Sequence, residues 1–204
     1  MKDYFIEKYN IKLPRKLPVS IELPFMRDYF PVVFNELGYK VGAEIGVFKG
    51  EYTLDLAKSG LKIYAIDPWT AYHDFPDQSI MDSYFEETKQ RLAGTTVDII
   101  RKPSLEAVKA FKDGSLDFVY IDGDHELKGV LDDIWHWYPK VRSGGMIAGH
   151  DFIRFRNQCK SHVPEAVWAY VQAYRIPYFF TTERKGAMND LPKNSQRSWF
   201  WIKP

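Results

Sequence analysis

Two short segments concentrate the groups that could do acid–base or metal chemistry. One reads Ile121-Asp122-Gly123-Asp124-His125 and the other Gly149-His150-Asp151-Phe152. Brought together, their three carboxylates and two imidazoles would repel unless something cationic joined them. A divalent metal is one such cation, and carboxylate oxygens suit magnesium or calcium. A cationic ligand or a basic substrate is another. A histidine can also take a proton near neutral pH without much tuning.

A second group of residues reads as a nucleotide site. Glu44-Ile45-Gly46-Val47-Phe48-Lys49-Gly50 ends an apolar run and opens a helical one. Glycine there lets the backbone approach a ligand closely, and the helix start offers unpaired N–H groups. Asp67 ends the next apolar run, where a carboxylate suits ribose hydroxyls. A dinucleotide turn would want G-x-G-x-x-G, yet only Gly46 and Gly50 are present and Phe48 stands in the middle. Glu44 suits a ligand with a cationic amine better than one with phosphates, which favours S-adenosylmethionine (SAM) over NAD.

Alternating elements must position these groups. Apolar runs at 41–47, 62–68, 96–102, 115–122 and 144–151 predict buried parallel strands. Helical spacing fills 52–59, 79–93, 104–111 and 126–141 between them. Residues 164–174 predict a further helix. Residues 178–183 and 197–204, joined by the polar stretch 184–196, predict an antiparallel pair. The expected fold is α/β, with five parallel strands plus a C-terminal antiparallel pair. Residues 1–20 read as an arm or short helix outside the core. Residues 23–37 look helical, with Pro24 in the first turn, Gly38 just past the end, and a break or kink at Pro31. One domain is expected: residues 1–40 as arm and helix, 41–204 as the body.

Composition excludes several classes. With 204 residues, net charge +1 and no long basic run, the chain lacks an electrostatic footprint for nucleic acid. RKLP near the start and ERKG near the end are short and read as solvated loop charges. Cys159 is the only cysteine, so an internal disulfide and a cysteine metal cluster are out. No stretch resembles a signal peptide or a membrane span, so the expectation is a cytoplasmic protein with no membrane partner. The aromatic N-terminal arm could pack on its own domain or on a second copy, leaving a homo-oligomer open.

Four segments in order, E-I-G-V-F-K-G-E-Y-T, Y-A-I-D-P-W, D-F-V-Y-I-D-G-D-H and G-G-M-I-A-G-H-D-F, resemble the class I SAM-dependent methyltransferases, closest to methyltransferase family 24. That resemblance implies a Rossmann-like, doubly wound sheet. It implies that Glu44, Gly46 and Gly50 surround the methionine part of SAM. Asp67 would bind the ribose, with Pro68 and Trp69 flanking the adenosine and Ser104 near the adenine. Asp122 would sit near the transferable methyl. Asp122 and Asp151 are then the metal candidates, although the usual neighbouring third ligand is replaced by His150 or Phe152. Phe48 departs from the common glycine pattern.

The implied activity is O-methyl transfer to a small hydroxylated acceptor. The alternative is a non-catalytic SAM- or sugar-binding module of the same fold. Proton removal would fall to His125 or Asp124 first and His150 next. Competing local readings exist. Asp124 suits the N-cap of the helix from Glu126, and Ser104 the cap of the helix it begins. The loop from Pro68 to Pro76 could be a lid or simply packed aromatics. Trp135, Trp137, Tyr138, Trp199, Phe200 and Trp201 read as packing residues.

Overall fold

Along each central strand the side chains alternate between two buried faces. In the computed structural model, which describes residues 2–12, 17–22, 26–153, 161–183 and 197–204, β5 (Leu116–Ile121) is buried at all six positions. Phe118 and Tyr120 enter one apolar layer and Val119 and Ile121 the other. That two-sided burial is what a near-continuous apolar run encodes.

The main parallel run is β2 (Val41–Ile45), β3 (Lys62–Asp67), β4 (Asp98–Arg101) at the edge, β5 and β6 (Val141–Gly149). They lie parallel in the order β4-β3-β2-β5-β6. β8 (Trp199–Ile202) runs antiparallel beside β6, and β7 (Phe180–Glu183) antiparallel beside β8. The five parallel strands and terminal antiparallel pair are as the sequence predicts. The strand order reverses between β2 and β5, and in such sheets ligands bind at the carboxyl ends beside that reversal.

One layer holds α1 (Lys2–Lys8), α2 (Phe30–Glu36) and α3 (Glu51–Lys58). The other holds α5 (Ser104–Ala107), α6 (Leu127–Trp137) and α7 (Val163–Ala173). α4 (Gln78–Arg91) closes a smaller cluster of Val47, Ala65, Trp69 and Met81. Asp77 caps α4 by accepting from the Ser79 N–H at 2.8 Å. Phe34 stacks on Phe118 with ring centroids 3.9 Å apart. A Cβ on Gly42 would lie 2.2 Å from that same Phe118 ring, so glycine in β2 makes room for the stack.

Three expectations change. The N-terminal residues are not outside the core: Val19–Glu22 form an eighth strand, β1, parallel to β7, and Phe5, Val19 and Ile21 are each 1% exposed. This strand was hidden because it is four residues long and pairs with the far end of the chain. Pro31 does not kink a helix; it sits in the first turn of α2, where no intrahelical N–H is needed, after a 3-10 turn at Met26–Tyr29. Pro24 lies outside the described residues, as do Cys159 and the polar stretch 184–196. Trp135 is 54% exposed, against Tyr174 at 5.7 Å, whereas Trp137 two residues on is fully buried. Trp199, Phe200 and Trp201 are buried as expected. No described helix is long and apolar enough to cross a membrane.

Candidate active site

The turn after β2 is shaped by its contact with β5. Gly46 has φ +87°, and a Cβ there would fall 2.2 Å from the Asp122 carbonyl oxygen. Only glycine fits both the left-handed backbone and the contact. Asp122 N–H donates to the Ile45 carbonyl at 2.7 Å, so the ends of β2 and β5 are pinned together. Gly50, also at positive φ, directly precedes α3.

Glu44 points into this crevice and is 2% exposed. Thr53 donates to it at 2.5 Å. Burial outweighs that bond and pushes its pKa up to about 8. Without a cationic partner it is mostly neutral at pH 7; an ammonium beside it would favour the carboxylate.

Asp67 organises the turn. Its Oδ2 accepts from the Val47 N–H (2.9 Å) and the Phe48 N–H (3.0 Å), and its Oδ1 from the Trp69 N–H (2.7 Å). Burial raises its pKa, with those three bonds pulling the other way. The Trp69 indole is fully buried and donates to the Phe48 carbonyl at 2.7 Å. The ring is therefore locked beneath the turn and is not free to flank an adenosine; Pro68, half-buried, keeps that option. Ser104 does not cap its helix. Its hydroxyl bonds the Asp133 carboxylate and accepts from Trp137 Nε1 at 2.7 Å.

The loop after Asp67 packs and lines at once. Trp69 turns inward, while Tyr72 is 49% exposed. Phe75 lies against the exposed Phe48 ring at 5.5 Å, and Tyr84 meets that ring at 4.8 Å. Phe48 itself has φ +53°, a strained value for a side-chain-bearing residue.

At the ends of β5 and β6 the acid cluster forms as the sequence implies. His125 Nε2 lies 2.8 Å from Asp151 Oδ2 and 3.8 Å from Asp122 Oδ1. His150 Nδ1 lies 3.2 Å from Asp151 Oδ1 and 3.7 Å from Asp122 Oδ1. The contacts are ionic, with poor hydrogen-bond alignment. His125 Nε2, His150 Nε2 and Asp151 Oδ1 are all buried without a hydrogen-bond partner among the described residues. Part of the His125 ring is exposed, but its Nε2 faces inward. Asp122 and Asp151 push His125 up to about 10. Burial alone would raise Asp151, yet the two histidines outweigh it and hold its carboxyl well below the usual range. Asp151 also sits at φ +56°.

Asp124 stands apart. It is exposed, and its Oδ1 accepts from the Glu126 N–H at 2.8 Å, ordering the start of α6. Arg27 is a site residue that sequence reasoning missed. It donates from Nη1 to Asp122 Oδ2 at 2.9 Å, across 95 positions of sequence. No local motif surrounds it, so only the fold could reveal it.

The family model for this methyltransferase domain, family 24, matches residues 43–152, just over half of the chain, from within β2 to the acid cluster after β6. The chain belongs to methyltransferase family 24. As such it is a SAM-dependent methyltransferase with the class I fold. Solved structures agree on the fold. An O-methyltransferase from Bacillus cereus in complex with SAH superposes with a TM-score of 0.62 at 14% identity, covering 99% of this chain and 96% of that one. The O-methyltransferase TomG from Streptomyces achromogenes, involved in tomaymycin synthesis and solved with SAM, gives 0.62 at 11% identity, covering 100% and 88%. A candidate rRNA methylase from Clostridium thermocellum gives 0.62 at 12% identity, covering 90% and 100%. No curated protein sequence matches the methyltransferase.

Proposed function

We propose that this methyltransferase moves the methyl group of SAM to a hydroxyl of a small acceptor, with a divalent cation held by Asp122, His125 and Asp151. One observation carries the reading. The three side chains each offer a ligand atom, all within 4.8 Å of one another, and two buried polar atoms among them, His125 Nε2 and Asp151 Oδ1, have no hydrogen-bond partner among the described residues. Unpaired buried polar atoms are costly, and a bound cation is one way to satisfy them. Two carboxylates suit magnesium, and the imidazole nitrogen extends the choice to manganese. The third ligand is thus His125, and neither His150 nor Phe152, the neighbours of Asp151, is needed for that role. When bound, the cation would lower the pKa of the acceptor hydroxyl and fix its orientation.

The chain's own groups do the rest. Glu44 takes the ammonium of SAM, and Asp122 faces the sulfonium. Asp67 has lone pairs left for a ribose hydroxyl beside its three backbone bonds. Gly46 and Gly50 keep side chains out of the methionine path. The acceptor oxygen displaces S-adenosylhomocysteine in line from the methyl carbon, and its proton passes to a base. His150 is the best-placed base. Its Nδ1 faces the two carboxylates, which fixes the proton there and leaves the buried Nε2 as an acceptor. His125 is disfavoured because its Nε2 lone pair would be taken by the cation, and Asp124 because it is exposed and tied to Glu126. The near-neutral net charge supports a small acceptor.

The test is transfer from labelled SAM to a panel of hydroxylated acceptors, with magnesium or manganese and with EDTA. Cation-dependent transfer is the expected result. SAM binding with no transfer to any acceptor would leave a non-catalytic module, and transfer indifferent to EDTA would remove the metal.

A further inference from the structure

Arg27 and Tyr52 form a polar pair that the reaction described above does not use. Arg27 sits in the 3-10 turn before α2, and its side chain is about four-fifths buried. Among the described residues it makes one hydrogen bond, from Nη1 to Asp122 Oδ2, and lays its guanidinium over the Tyr52 ring at 5.1 Å. A guanidinium has five N–H donors in a fixed fork, so most of the fork has no acceptor among the described residues. Tyr52 lies in the first turn of α3, just after Gly50, and is 4% exposed. Its hydroxyl is buried with no hydrogen-bond partner. It lies within electrostatic reach of Glu44 and Arg27.

Such an arrangement is expensive unless something fills it. A buried arginine with open donors and a buried phenol without a partner each carry a desolvation cost. Arg27 reaches the carboxyl end of β5 through Asp122, and Tyr52 follows the glycine turn that Gly50 ends. A small anion with two oxygens would satisfy both: the fork can take a carboxylate side-on and the phenol can donate to one of its oxygens.

We propose that Arg27 and Tyr52 bind the α-carboxylate of SAM. The inference rests on the SAM reading of the site and deepens it. The amino-acid end of SAM carries three charges, and each then meets an opposite or donor group. Asp122 faces the sulfonium, Glu44 the ammonium, and Arg27 with Tyr52 the carboxylate. Asp122 links two of these contacts. Its Oδ2 holds the guanidinium in place while Oδ1 faces the histidine pair. Arg27 thereby orients the cofactor tail and reports to the same carboxylate that the methyl group approaches.

The experiment is calorimetric binding of SAM and of decarboxylated SAM, in EDTA, to the full chain and to Arg27→Met, Arg27→Lys and Tyr52→Phe. Decarboxylated SAM keeps the sulfonium and amine but lacks the carboxylate. The wild type should prefer SAM by about 10- to 100-fold. Arg27→Met should erase most of that preference by weakening SAM alone, Arg27→Lys should keep part of it, and Tyr52→Phe should lose several-fold. Tyr52→Phe removes a hydroxyl that bonds nothing in the described protein, so its folding is secure. Equal weakening of both ligands, or no preference in the wild type, overturns the proposal while leaving SAM binding intact. Failure of the wild type to bind either ligand overturns the SAM reading itself.

Discussion

A Cβ on Gly46 would lie 2.2 Å from the carbonyl oxygen of Asp122. The glycine turn after β2 and Asp122, the residue proposed to face the methyl group, are therefore held in one backbone contact. Gly46→Ala must either break that contact or strain a backbone at φ +87°. We expect a loss of about 3 kcal/mol or more in stability, together with loss of SAM binding, read by thermal unfolding with and without the ligand. A variant with wild-type stability and affinity would show that the strand ends can separate freely.

The metal reading makes a sharp demand on His125. Replacing it with alanine removes one of three ligands and should weaken manganese binding about 10- to 100-fold, by analogy with the loss of other groups that support a metal. His150→Ala should leave manganese affinity largely unchanged and slow transfer instead. Electron paramagnetic titration of manganese separates the two. Equal effects on affinity from both substitutions would mean that the histidines, and not the proposed trio, form the donor set.

Asp133 gives the clearest dependence on pH. It is buried against Ser104, and burial pushes its pKa up to about 6. The unfolded value is near 3.8, so the folded chain binds the proton more tightly. Stability then falls as pH rises from about 4 to about 6, by up to ~3 kcal/mol from this group. Asp133→Asn keeps an oxygen for Ser104 and removes the titration. Denaturant unfolding should show the variant gaining on the wild type between pH 4 and pH 7, with no further change above that. A constant difference across the range would place the Asp133 proton elsewhere.

Two tryptophans in one helix should behave oppositely. Trp137→Ala empties a fully buried site and removes the indole donor to Ser104, which should cost about 3–5 kcal/mol. Trp135→Ser alters an exposed ring and should change stability by less than about 0.5 kcal/mol. Urea midpoints of the two variants measure this directly.

The alternation of buried strands and helices was legible because two-sided burial leaves continuous apolar runs, as in Leu116–Ile121. The acid cluster was legible because parallel strands bring their carboxyl ends to one edge. What sequence could not give was direction. Trp69 looked like a cofactor flank, but its indole turns under the glycine turn to bond Phe48. Ser104 looked like a cap, but its hydroxyl joins Asp133 and Trp137. Trp137 shares the buried stripe of Val130, Asp133 and Ile134, whereas Trp135, two residues earlier, faces away from it; an apolar pattern counted over the whole helix grouped the two. β1 and Arg27 were invisible for a different reason: each acquires its meaning from residues at the other end of the chain or of the sheet.

That edge strand has a consequence for how the chain is made. β1 lies at the end of the sheet, and its one neighbouring strand is β7. The 3-10 turn carrying Arg27 also rests against β7. During synthesis β1 must wait for that neighbour until residues 180–183 have followed. The turn that carries Arg27 gains its support from β7 at the same late point, so a nascent chain stalled before residue 180 would hold Arg27 against Asp122 without that buttress.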